Sequence, residues 1–117
     1  MAKQDPRTDV LQGTLDLMVL RTLESMGPQH GFGLAKRIDR ISEGLLELTP
    51  GTLYPALLRL EQRGWIRSRW GVSDNNRRSR FYELTRAGGR RIADEEAQWA
   101  RTVALMGRFL RPAGEDV

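Results

Sequence analysis

The chain has no cysteine and a single histidine, His30. Disulfides, thiolate metal sites and cysteine nucleophiles are thereby excluded, and one imidazole cannot assemble a metal centre. No run of about eighteen apolar residues occurs, so no membrane-spanning helix is expected. The opening stretch MAKQDPRTD lacks an apolar core, which argues against a secretory signal, and the absence of cysteine fits a reducing cytoplasm, the expected location. Phosphate-cradling glycine motifs are also missing: Gly31-Phe32-Gly33 is too short and reads as a turn. Ser25, Ser42, Ser68, Ser73 and Ser79 have no histidine in a triad-like arrangement, and Asp94, Glu95 and Glu96 read as solvated helix surface. The chain is therefore expected not to be an enzyme and to need no cofactor.

Lysine is scarce too. Seventeen of the nineteen basic residues are arginine, which favours forked contacts to phosphates or guanine edges; a GC-rich genome gives the same bias. The 117 residues, 39% hydrophobic and 29% charged, suit one soluble domain. The net charge of +4 is unevenly spread. Ten arginines from Arg59 to Arg91 face only Glu61, Asp74 and Glu83, giving +7 there and −3 elsewhere. A basic segment on a near-neutral body is the footprint of a polyanion binder, or else an arginine-rich solvated surface.

Residues 10–26 carry Leu11, Leu15, Met18 and Val19 at helical spacing, with Leu20 and Leu23 widening the stripe. Thr8 or Asp9 supplies the N-cap and Gly27-Pro28 the stop. So wide a stripe implies burial on more than one side, as in a core helix that also pairs subunits. QHGFG (29–33) reads as a turn into a second helix over 32–43, with Phe32, Ala35 and Ile38 inward and Lys36, Arg37 and Arg40 outward. Leu46-Glu47-Leu48 has the makings of a short strand. A third helix follows, capped by Thr49, opened by Pro50 and closed by Gly64. Leu53, Leu57 and Leu60 form its buried face; Thr52, Pro55, Arg59 and Gln62 lie opposite, with Tyr54 alongside. Pro55 is tolerable only because it sits close to the first turn. Residues 65–72 and 79–84 read as strands joined by the turn-rich SDNNRRS, with Ile66 and Trp70 on one face and Arg67 and Arg69 on the other. From Thr85 to Arg111, Ile92, Glu96, Trp99, Val103, Met106 and Leu110 alternate spacings of four and three, the seam of a coiled-coil-like contact, with Leu105 and Phe109 beside it.

Three helices followed by a two-stranded basic hairpin make a winged helix-turn-helix, mainly α with a small antiparallel β-wing, extended by a C-terminal helix whose stripe must be buried against the first helix of the same or of a second subunit, the latter making it a dimerisation helix. The expected organisation is a flexible arm over 1–9, a winged-helix domain over 10–84, a dimerisation helix over 85–111 and a disordered tail over 112–117. The strings GTLDLMVLRTL (13–23), HGFGLAKRI (30–38), TPGTLYPALLRLEQRGWI (49–66) and RSRFYELTRAG (78–88) resemble the PadR family of transcriptional regulators, in its compact form with a short C-terminal region.

That resemblance implies a homodimeric repressor that binds a near-palindromic double-stranded DNA operator and is released by a small effector, such as a flat aromatic compound, or by another signal. Carried onto this sequence, the recognition helix runs from about Thr49 to Arg63, with Thr49, Gly51, Thr52, Tyr54, Pro55 and Arg59 facing DNA. Lys36, Arg77, Arg78 and Arg80 supply phosphate or minor-groove contacts. The dimer interface takes Leu11, Leu15, Ile92, Trp99, Val103, Met106 and Leu110, and Trp99 doubles as an effector-pocket wall. Blander roles compete: Tyr54 packing on the second helix, Arg80 pairing with Glu83, Trp99 as plain interface packing. Glu96 on the seam either pairs with Arg101 or Arg108 of a second subunit or marks a wet cavity. The rival function is a winged-helix protein–protein interaction module without specific DNA binding.

Overall fold

The computed structural model describes residues 12–111. The first helix, α1 (Gln12–Met26), buries Leu15, Val19, Leu20 and Leu23, the broad stripe expected of a central helix. It stops at Gly27, whose positive φ of 79° turns the chain while its N–H still bonds the Leu23 carbonyl at 2.9 Å. A two-residue strand, β1 (Gln29–His30), follows, and then α2 (Gly31–Ile41). His30 closes the strand and caps the helix: its Nδ1 accepts the Gly33 N–H at 3.0 Å, satisfying one of the amides a helix start leaves open. Glu43 and Gly44, both at positive φ, end this second helix.

Helix α3 (Pro50–Gln62) begins with a proline where no amide donor is needed. The Thr49 carbonyl accepts from Thr52 at 3.0 Å and Leu53 at 2.9 Å, so α3 is wound before Pro55 interrupts it. Leu53, Ala56, Leu57 and Leu60 enter the core. At the far end Gly64, at φ +77°, lets its N–H reach the Glu61 carbonyl at 3.0 Å and the Trp65 N–H reach Leu60 at 3.1 Å. These paired bonds form the left-handed cap that a glycine makes possible.

The hairpin comprises β2 (Ile66–Val72) and β3 (Arg78–Leu84), with Ile66 opposite Leu84 and Val72 opposite Arg78. β3 is the central strand, because β1 pairs with its other edge, Gln29 opposite Tyr82 and His30 opposite Phe81. Helix α4 (Arg86–Leu110) is capped by Thr85, whose Oγ1 accepts the Gly88 N–H at 3.1 Å and donates to the Gly64 carbonyl at 2.6 Å. Ile92 joins the core, but every described residue from Glu96 onward is exposed. Twenty-five helical residues span about 37 Å at 1.5 Å each. The radius of gyration of 16.8 Å accordingly exceeds the roughly 13 Å of a compact domain this size. The chain is a winged-helix body with a bare helical arm.

Several sequence expectations change. Gln29 and His30 form a strand and not merely a turn; two residues are too few to show an alternating pattern. Leu46–Leu48 forms no strand: Leu46 is buried as a plug in the link, its N–H held by Ser42 Oγ at 3.0 Å. Phe32 points outward, 70% exposed, and Leu34 takes the core position beside Ile38. Thr49 occupies the N-cap without a side-chain capping bond, its Oγ1 lying 3.3 Å from Thr52 Oγ1 instead. The expected arm, the Thr8 or Asp9 cap, Leu11 and the tail over 112–117 lie outside the described residues.

Candidate nucleic-acid interface

The outward face of α3 presents Gly51, Thr52, Tyr54, Pro55, Leu58 and Gln62 to solvent. Gly51 keeps the first turn thin: a Cβ there would meet only Thr49 Oγ1, at 3.8 Å. Tyr54 leans its ring over α2, where a Cβ on Gly31 would lie 2.6 Å from the phenolic oxygen. Packing on the second helix and exposure coexist, since Tyr54 is still 47% accessible. Beside it a cleft of about 370 Å³ opens between α2 and the start of α3, lined by Phe32, Ala35, Lys36, Leu48, Pro50 and Tyr54 among others. Lys36 is exposed, its Nζ 5.7 Å from the Phe32 ring.

The hairpin is wired to α3 through the strand face that carries Ile66, Ser68 and Trp70. Ser68 Oγ donates to Glu61 Oε2 at 2.6 Å and accepts from Arg80 Nε at 2.8 Å, with Arg80 Nη2 3.7 Å from the same carboxylate. Arg80 therefore does not pair with Glu83, which binds Arg67 at 2.8 Å. The exposed Trp70 ring carries two guanidiniums, Arg78 at 5.0 Å and Arg80 at 5.6 Å. Ile66 shares that strand face but is buried, because only the base of the wing reaches the core. Arg69 and Arg77 are exposed, and no ion pair engages either among the described residues. Asn76, at φ 60°, and the 2.8 Å bond from the Ser73 N–H to the Arg77 carbonyl tighten the tip. Under the sheet, burial pushes the Tyr82 phenol above its ordinary pKa while Arg80 pulls it down, so the phenol stays neutral.

Arg59 departs from the sequence reading. Its Nη2 donates to Asp16 Oδ1 of α1 at 2.9 Å, and its Nε is buried with no acceptor. On the helical wheel it lies at the margin of the outward face, close enough to α1 for the carboxylate to capture it. Leu58, more centrally placed, is a residue that sequence reasoning missed; its spacing of three from Pro55 and four from Gln62 puts it on their face.

Of the residues expected at a subunit contact, Leu15 and Ile92 belong to the chain's own core. Trp99, Val103, Met106 and Leu110 remain exposed along the arm, as do Leu105 and Phe109. Two hollows flank Trp99, one of about 280 Å³ reaching Gly13 and Thr102, the other of about 470 Å³ bounded by Leu17, Met18, Arg21 and Glu96. Among the described residues no helix is long and apolar enough to cross a membrane.

A family model described as the transcriptional regulator PadR-like family matches residues 19–94. A transcriptional regulator from Clostridium thermocellum is similar in structure, with a TM-score of 0.79 and 28% identity over 89% of this chain and 100% of that one. A PadR family transcriptional regulator from Eggerthella lenta gives 0.74 and 30% over 86% and 84%. An uncharacterised protein of Lysinibacillus sphaericus is 26% identical across 89% of this chain and 94% of its own length.

Proposed function

Because the chain belongs to the PadR-like family of transcriptional regulators, we propose that it is a homodimeric repressor whose two α3 helices enter successive major grooves of a near-palindromic operator. The observation that carries this reading is the bare outward face of α3 beside a wing whose Arg69 and Arg77 are exposed and unpaired among the described residues. Gly51, Thr52, Tyr54, Pro55, Leu58 and Gln62 approach base edges and sugars; Lys36, Arg77 and Arg78 take phosphates or the minor groove. Arg80 supports the wing from behind, and Arg59 is left off the DNA face. Twofold symmetry sets the half-sites about 34 Å apart. A dimer covering both grooves represses by excluding polymerase. With few long polar side chains on α3, much of the selectivity falls to groove shape.

Selection of genomic fragments by the purified protein tests this. The expected product is one class of near-palindromic site, bound far more tightly than random duplex and in the presence of competitor RNA. The exposed apolar Phe32 and Leu58 favour the rival, a protein-docking winged helix; fragment recovery no better than random would overturn the operator reading and leave that rival standing. Arg77→Ala/Arg78→Ala is expected to lower the salt slope of operator binding by up to about 3.6 per dimer, at roughly 0.9 for each phosphate no longer neutralised. An unchanged slope removes the wing tip from the interface.

Release by a small planar aromatic compound is the accompanying proposal, supported by the hollows on either side of Trp99. Binding of such a compound is expected to quench tryptophan fluorescence, with most of the quenching lost in Trp99→Phe. Equal quenching in that variant places the ligand elsewhere, near Trp65 or Trp70.

A further inference from the structure

The ion pair between Asp16 and Arg59 is the most deeply buried of the described ion pairs; Arg91–Glu95 on α4, at 39% and 21% exposure and also with a buried Nε lacking an acceptor, comes next. Side-chain exposure is 9% for Asp16 and 28% for Arg59, against 25% and 72% in the wing pair Glu83–Arg67 and 37% and 63% in the helix-surface pair Glu24–Arg21. It is also imperfect. Arg59 Nε is buried without an acceptor, so the guanidinium is desolvated further than its single bond compensates. A buried pair of this quality is poor evidence for stability, since apolar residues of similar size often serve as well or better. What it does supply is direction: α3 can sit on α1 in only one rotation if Arg59 is to reach Asp16.

The position of α1 gives this meaning. Asp16 looks toward α3, while Thr14, Leu17, Met18 and Arg21 lie on the other side of α1, bordering the hollow beside Trp99 on α4. The reading helix and the bare arm are thus in contact with opposite faces of the same helix.

We propose that Asp16 is a positioning residue for DNA recognition: through Arg59 it fixes the rotation of α3 on α1, and so supports discrimination between operator and random duplex without itself touching DNA. This rests on the operator-binding reading above. The test is the paired variant Asp16→Leu/Arg59→Met in the full chain, which removes both charges together and leaves no orphan. Thermal midpoint and dimer state are expected to hold. The ratio of operator to random-duplex affinity is expected to fall at least about tenfold, from a starting ratio of about 10³ or more. The salt slope is expected to stay unchanged, because every phosphate keeps its partner. Arg59→Lys, which keeps a cation for the single bond to Asp16, is expected to hold the ratio within about threefold of the original.

Full discrimination in the paired variant overturns the proposal and makes the pair merely structural. A fall in slope of about 0.9 or more per subunit, with random-duplex binding weakened equally, also overturns it, by making Arg59 a phosphate ligand. If the unaltered protein fails to discriminate, the operator reading itself has failed, a result distinct from either.

Discussion

Val103→Asp/Leu110→Asp is expected to be a folded monomer that binds the operator about a thousandfold more weakly than the unaltered protein, at the low end of the gap between specific and non-specific binding. The two side chains are 61% and 73% exposed in the single chain, so carboxylates there disturb no intrachain packing. In a dimer whose seam runs along α4 they would be buried as unpaired charges, which is strongly unfavourable. A monomer grips one half-site and forfeits the second, along with half of the phosphates it would otherwise hold. Light scattering after size exclusion reads the mass, and fluorescence anisotropy on a labelled operator reads the affinity. A variant that remains dimeric locates the subunit contact away from the arm.

Gly88→Ala is expected to cost about 1–3 kcal/mol, the usual range for forcing an extra carbon into a packed site. For a chain of this size that lowers the melting midpoint by about 4 °C per kcal/mol. Gly88 is buried at the start of α4, and a Cβ there would collide with the Trp65 carbonyl and stand 2.7 Å from Leu84 Cδ1. The leucine can rotate away. The carbonyl cannot do so cheaply, because it also accepts the Thr85 N–H at 3.0 Å. Gly89→Ala is the control: nothing lies within 4 Å of its Cβ position, so it should gain helix propensity and melt no lower. Thermal unfolding followed by circular dichroism decides; equal midpoints for Gly88→Ala and the unaltered chain rule out the close approach.

The helices were legible because each carries a long apolar period and recognisable punctuation. Gly27 and Gly64 end α1 and α3 at positive φ as their positions imply, and Pro50 opens α3. What escaped depends on partners distant in sequence. Arg59 is separated from Asp16 by 43 positions, and nothing near either residue announces the other. The only hint was an acid inside the apolar run of α1, which has to be compensated once buried. Likewise β1 owes its strand character to the edge of β3, and Leu15 and Ile92 enter the chain's own core and not a subunit seam, a difference periodicity cannot express because it does not say whose core a stripe enters. The Glu61–Ser68–Arg80 network was hidden for the same reason, its members lying on three different elements.

Thr85 bonds the Gly64 carbonyl at the end of α3 and the Gly88 amide at the start of α4, while its own amide holds Trp65. One threonine is therefore the fulcrum between α3 and a lever about 37 Å long. A tilt of about 5° at that threonine would sweep the lever tip by about 3 Å, so a small rearrangement at one end of the molecule is geared into a large one at the other.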